Sequence, residues 1–263
     1  MFHFTKMQGL GNDYLYVYAA PPKNIKQLSI RLSDRHFGAG SDGMVFIEPS
    51  DIADFKMRIF NADGSEAKMC GNGIRCVGKY LYEKNYTNQS HLAIETLSGI
   101  KKLDLHVKND IVESVSVDMG IVTISPLETI VLDGHAYDYV PVNVGNPHAV
   151  IFLDDVESID IATIGPLIEH NFIDGINVEF TEIKQDNHIR MRVWERGSGI
   201  TMACGTGACA AASAAVQLGY CSFNQPITIQ LDGGDLEIKV ETNYRVNMKG
   251  PAEFVFEGEA YEA

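Results

Sequence analysis

The chain has 263 residues, a formal net charge of −14, 45% hydrophobic and 21% charged residues. This is the composition of a globular protein of one large or two medium domains. The acidic balance excludes nucleic acid and anionic membrane surfaces as expected partners, since both need basic patches. No apolar run reaches membrane-spanning length and the start, MFHFTKMQGLGNDY, lacks a signal-like apolar core, so cytoplasmic residence is expected.

In chain order, residues 13–18, 44–48 and 55–60 read as strands, rich in aromatic and β-branched residues. Ile25, Leu28 and Leu32 predict a helix over 25–37 that stops at Gly38. A turn, Asn61-Ala62-Asp63-Gly64-Ser65, leads to Cys70 and a helix from about Gly73 to Glu83. Residues 91–118 alternate and break at Asn109-Asp110, the pattern of a hairpin. A strand at 148–153, a weak helix at 158–170 and strands at 177–183 and 188–194 follow. The turn Glu195-Arg196-Gly197-Ser198-Gly199 then leads to Cys204 and a helix over 207–218. That helix, GACAAASAAVQL, is small or apolar all round and should be buried. Strands at 227–231, 235–241 and 253–257 close the chain. The runs KYLYEK and EGEAYEA read as solvated faces.

The order of elements repeats. Cys70-Gly71-Asn72-Gly73 and Cys204-Gly205-Thr206-Gly207 lie 134 residues apart. The same offset carries Gly11-Asn12 onto Gly145-Asn146, Phe46 and Glu48 onto Phe180 and Glu182, and residues 55–60 onto 189–194. The chain therefore reads as a duplicated unit. The expected domains are 1–117, with the tail 252–263 returning to complete the sheet, and 118–251. A thiol at the same place in each half suits chemistry that needs an acid on one face of a substrate and a base on the other.

Five cysteines in a chain without a signal segment point to reduced thiols. Cys76 and Cys209, inside predicted helices, and Cys221, just after one, read as small buried hydrophobes. Cys70 and Cys204 differ, because each stands at a helix entry before Gly-x-Gly. Backbone N–H groups and the positive helix end should lower the thiol pKa there. The cysteine spacing does not suit a metal site. Residues 73–80 fail as a phosphate loop, since Tyr80 replaces the Ser or Thr hydroxyl. GLGNDY fails as a dinucleotide fingerprint, with no strand expected before it and no helix after it.

The stretches KMQGLGNDY, FNADGSEAKMCGNGIRCVGKYLYE, NVGNPHAV, INVEF and VWERGSGITMACGTGACAAASAA resemble the diaminopimelate epimerase family of cofactor-independent amino-acid racemases and epimerases. They span residues 6 to about 215. MCGNGIRC and ACGTGA are specific: proline racemases differ around these motifs and PhzF-like isomerases lack the cysteine pair. The resemblance implies an α+β fold of two pseudo-symmetric domains, each a mostly antiparallel sheet curled around a central helix, with the ligand in the cleft between them. It implies the interconversion of LL- and meso-2,6-diaminopimelate, in lysine and peptidoglycan precursor synthesis, without pyridoxal phosphate or metal, by a homodimer.

Carried over by position, Cys70 and Cys204 become the catalytic thiols, Cys70 donating and Cys204 accepting in the LL-to-meso direction. His148 and Glu195 become the pair that tunes them. Asn12, Asn61, Asn146 and Asn177 become substrate-binding residues. Gly71, Asn72, Gly205 and Thr206 hold the reacting carboxylate, and Glu195 and Arg196 the distal centre, with Arg196 a candidate clamp for the far carboxylate. Two positions depart from the pattern. Gly43 or Met44 stands where many members carry Gln, and Ile200 where Glu is common. These departures leave open a racemase of the same fold acting on another amino acid, such as histidine or a hydroxyproline. A reading of another class is a non-catalytic binding protein or redox pair.

Overall fold

A computed structural model describes residues 2–132, 134–185 and 187–261; Met1 and the last two residues of the EGEAYEA tail lie outside the described residues. The chain divides into two compact units, one running to Val117 and resuming at Gly250, the other Asp118–Lys249.

The first unit contains β1 (Phe2–Gly9), β2 (Asn12–Tyr18), α1 (Ile25–Ser33), β3 (Gly43–Pro49), β4 (Phe55–Asn61), β5 (Glu66–Ala67), α2 (Gly71–Glu83), β6 (His91–Thr96) and β7 (Gly99–Lys108). Strand β8 (Ile111–Ile121) leads into the second unit. That unit holds β9 (Thr123–Ile124), β10 (Glu128–Leu132), β11 (His135–Asn143), β12 (Pro147–Phe152), α3 (Ile161–His170), β13 (Asn177–Gln185) and β14 (His188–Glu195). It continues with β15 (Gly199–Ile200), α4 (Gly205–Gln217), β16 (Pro226–Leu231), β17 (Gly234–Val240) and β18 (Arg245–Gly250). Strand β19 (Glu253–Ala260) returns to the first unit and pairs antiparallel along β1.

The pairings repeat in the two units. β2–β3 and β12–β13 are parallel, in equivalent registers (Tyr14 beside Gly43, His148 beside Asn177). β3–β4 and β13–β14 are antiparallel, and β4–β6 and β14–β16 parallel. Antiparallel hairpins β6–β7 and β16–β17 follow. Each unit is thus a mixed, mostly antiparallel sheet with few helices, an α+β fold.

Strand alternation gives each sheet two faces. In the first unit Leu15, Met44, Phe46 and Phe60 join Leu28 and Leu32 of α1 in one apolar cluster. Ala149, Ile151, Val178 and Phe180 join Ile161 and Ile168 of α3 in its counterpart. The residues of opposite parity face the other helix: the Tyr16 hydroxyl donates to the Gly73 carbonyl of α2 at 3.2 Å. The apolar sequence of α4 fits its setting, since every residue from Gly207 to Val216 is buried. Small side chains let the strands approach this helix closely.

Several elements differ from the sequence expectation. Helix α1 ends at Ser33 rather than 37, because the Asp34 carboxylate accepts the N–H groups of His36 and Phe37, both at 2.7 Å, and turns the chain. A strand, β1, does precede GLGNDY. Leu10 and Gly11, both at positive φ, turn it antiparallel into β2, so no nucleotide-binding strand–helix unit forms. The 91–118 region is three strands, with a second turn at Leu97-Ser98. Strands β10, β11 and β18 went unread. The run KYLYEK is not a solvated face: Lys79, Tyr80 and Leu81 are buried in α2. The Lys79 ammonium donates to the Val112 carbonyl at 2.6 Å and pairs with Glu83 at 2.8 Å, which makes its burial tolerable. No helix among the described residues is long and apolar enough to cross a membrane.

Candidate active site

Both helices begin earlier than the sequence suggested, at Gly71 and Gly205, because Cys70 and Cys204 themselves cap them. Each cysteine is extended, and its sulfur accepts the N–H three residues on. Gly73 donates to Cys70 Sγ at 3.4 Å and Gly207 to Cys204 Sγ at 3.3 Å. A thiol here takes the role usually given to Ser or Asp.

In the first unit, Cys70 Sγ donates to Asn12 Oδ1 at 3.3 Å. Asn12 Nδ2 in turn donates to Asp42 Oδ2 at 2.7 Å, which also accepts the Asp13 N–H at 3.0 Å. Arg35 bridges Asp13 and Asp42, and Lys6 pairs with Asp13 at 2.7 Å. This ionic frame fixes the Asn12 amide beside the thiol. The buried Tyr14 ring stands against Cys70 and Asn12. Burial, and then the neighbouring Cys70, push its hydroxyl pKa well up, so it is a neutral group. Asn72 is buried at the helix start, its Oδ1 accepting from Arg75 at 3.0 Å. Asn61 lies at the end of β4, and its side chain donates within its own turn, to Ser65 at 3.1 Å. At Gly43, the first departure, the backbone runs close to β4. A Cβ there would lie 2.2 Å from the Phe60 carbonyl oxygen, so a side chain requires the backbone to shift.

The second unit surrounds its thiol with ionisable groups. Cys204 Sγ is 3.5 Å from Thr206 Oγ1, which accepts from Asn146 Nδ2 at 3.4 Å. Asn146 Oδ1 is 3.1 Å from His148 Nε2, and His148 Nδ1 is 2.7 Å from Glu179 Oε1. The His148 and Glu179 side chains are fully buried. Glu195 accepts from Thr201 and from Cys204. Burial raises the Glu195 pKa above the usual carboxylate value. Asn177 joins two strand ends, donating to the Pro147 carbonyl at 2.9 Å and accepting the Arg196 N–H at 3.0 Å. The exposed Arg196 guanidinium rests on the Asp174 carbonyl at 3.0 Å. Ile200, the second departure, is 45% exposed and pairs with Trp194 across β14 and β15.

The expected lowering of the thiol pKa does not hold at Cys204. Burial, then the negative charges of Glu195 and Glu179, push it well above its ordinary value, against the smaller help of Thr206 and the Gly207 N–H. The helix end is present, but desolvation and two carboxylates outweigh it.

Glu179, Tyr14, Asp42 and Thr201 were not anticipated as site residues. The repeat offset held the signal for one of them: it places Glu179 on Val45, a charged residue where the other half has a fully buried valine. Among the described residues, no three His, Cys, Asp or Glu side chains converge as a metal site would require.

Known proteins resemble this chain in sequence and in fold. The diaminopimelate epimerase family model matches residues 4–125 and 140–255. A diaminopimelate epimerase from Methanococcus maripaludis is 50% identical over 274 residues, covering 97% of this chain and 98% of the relative. One from Bacillus subtilis is 48% identical, covering 98% of each. Among solved structures, a probable proline racemase from Agrobacterium radiobacter matches with a TM-score of 0.77 at 15% identity, covering 99% of this chain and 93% of its own. A PhzF-family phenazine biosynthesis protein from Bacillus anthracis matches with a TM-score of 0.76 at 14% identity, covering 99% of each. At such identities the structures speak for the fold alone. Identity near one half over almost the full length is decisive for kinship, and the chain belongs to the diaminopimelate epimerase family.

Proposed function

We propose that the protein interconverts LL- and meso-2,6-diaminopimelate by proton transfer through Cys70 and Cys204, without a cofactor. The observation that carries this reading is a thiol capping the first turn of a helix at the same place in each duplicated unit, in a chain of this family. The α-proton of an amino acid is weakly acidic, so the carboxylate must be stabilised as charge builds on it. The first N–H groups of a helix have no partner within the helix and carry its positive end. Those of α2 and α4, at Gly71, Asn72, Gly205 and Thr206, suit that task. One thiolate takes the α-proton while the other thiol gives a proton to the opposite face. The C–H bond broken and the C–H bond formed balance, and the two cysteines exchange protonation states in each turnover.

Burial and two carboxylates favour the protonated form of Cys204, which suits it to donate in the meso-to-LL direction. The LL-to-meso direction requires that proton to leave first. Asn12 and Asn146 support the reading as paired amides, one beside each cysteine cap. Asn61, Asn177, Glu195 and Arg196 serve as substrate-binding residues, with Arg196 for the distal carboxylate. Cytoplasmic residence and a homodimer complete the proposal. Incubation of the pure LL isomer with the protein, followed by chiral chromatography, tests it. Conversion to the meso form is expected, and an unchanged LL isomer at high enzyme concentration contradicts it.

A further inference from the structure

The duplicated frame makes the two thiol surroundings comparable position by position. Val45 and Glu179 occupy equivalent places, as do Tyr14 and His148. The second residue of each pair brings an ionisable group to the face of the sheet that meets α4. Glu179 and His148 form a fully buried pair at 2.7 Å, whereas Val45 and Tyr14 give the first unit an apolar group and a neutral phenol.

The helix has been fitted to this carboxylate. A Cβ on Gly207 would lie 2.7 Å from Glu179 Oε1 and 3.2 Å from Cys204 Sγ, while the equivalent Gly73 has nothing nearer than 3.5 Å. Glu179 therefore occupies the space beneath the first turn of α4, and Gly207 is required to leave it room. The second oxygen, Oε2, is buried with no hydrogen-bond partner among the described residues. A buried carboxylate oxygen left so is costly, and a well-packed valine, as in the other unit, would avoid that cost.

We propose that Glu179 is a positioning residue for the second thiol: its carboxylate anchors the His148 ring through Nδ1 and sets a negative charge under the Cys204 cap, so that the two thiols of one enzyme hold their protons unequally. The proposal rests on the reading of Cys204 as an acid–base group. The chain Glu179–His148–Asn146–Thr206–Cys204 is continuous, its links being 2.7, 3.1, 3.4 and 3.5 Å. With Asn146 Nδ2 donating to Thr206, Asn146 Oδ1 is the atom that faces His148 Nε2. His148 Nδ1 faces the Glu179 carboxylate, on the side of the ring away from the sulfur.

The charged groups facing Cys204 are Glu195 from β14, Glu179 from β13 and, through the chain, His148 from β12. The other strands packed on α4 bury Val140 and Val142 of β11, Ile227 and Ile229 of β16 and Leu236 and Ile238 of β17. Two carboxylates thus outweigh one more distant imidazole, in keeping with the raised thiol of Cys204.

The test reads thiol chemistry rather than turnover, so its failure leaves the epimerase reading standing. In a Cys70→Ser background, Cys204 alkylation by iodoacetamide is followed by peptide mass spectrometry as a function of pH. Glu179→Gln, which keeps the shape and removes the charge, should raise the Cys204 rate at mildly alkaline pH on the order of tenfold and move its pH midpoint down. An unchanged rate and midpoint overturns the proposal. Should Glu179→Gln fail to fold, the wild-type protein still decides. NMR should show a slowly exchanging, strongly downfield Nδ1 proton assigned to His148 by its absence in His148→Gln. A rapidly exchanging ring N–H overturns the anchoring.

Discussion

Each sulfur is set by a few neighbours. Cys204 is held as a thiol first by burial and then by Glu195 and Glu179. A proton donor of this kind is lost as pH rises through its pKa, and the raised value moves that loss to higher pH. Removing the Glu195 charge reverses part of the shift. Glu195→Gln should therefore move the alkaline limb of the kcat/KM profile for the meso substrate to lower pH, and a pH-rate series checks it. At the other sulfur the neighbour that matters is an amide. Asn12 is held against Cys70 by Asp42, and Asp42→Ala should lower kcat/KM roughly tenfold to a hundredfold, the loss of a hydrogen bond to a charged group. Arg35→Ala, which removes a more exposed guanidinium from the same frame, should cost far less. Steady-state kinetics on the two variants separates them.

At the scale of elements, the two cysteine-capped helices look alike in sequence and differ in what lies beneath them. Alanine at position 73 finds space and gains helix propensity, whereas at 207 it meets the Glu179 carboxylate. Gly207→Ala should destabilise the protein by about 1–3 kcal/mol, and Gly73→Ala should be near neutral, as read by urea denaturation. Most elements were legible because their patterns are local: the alternating aromatic strands β2 to β4, the all-apolar α4 and the Asn109-Asp110 turn. The end of α1 was not, because it depends on the Asp34 side chain turning onto its own backbone. Strand β1 loses its alternation at Thr5-Lys6, β10 runs through the consecutive apolar residues Ile130-Val131-Leu132, and β11 is interrupted by Pro141. The capping thiols were legible from Cys-Gly-x-Gly alone. Glu179 was not, since a Glu between valine and phenylalanine reads as the solvent side of a strand. Only the β12–β13 pairing and α4 against it show that this side is buried.

For the whole molecule, duplication explains both what repeats and what does not. The sheet pairings, the capping thiols and the Gly-Asn pairs repeat. Tyr14 and His148, Val45 and Glu179, and Asn61 and Glu195 hold equivalent places with different chemistry. The chain also closes its first unit with its last strand, β19 along β1, so that unit needs both ends of the sequence. Stereoinversion by the proposed route needs a thiol in each unit, which the repeated parts supply, while Glu179 and His148 are the unequal parts proposed to set Cys204 apart from Cys70. Exchange of the substrate α-proton into deuterated water tests this account most directly. The wild type should incorporate deuterium at the α-carbon of diaminopimelate while inverting it, and Cys70→Ala and Cys204→Ala should each abolish inversion. Inversion that survives the loss of either thiol would contradict the account.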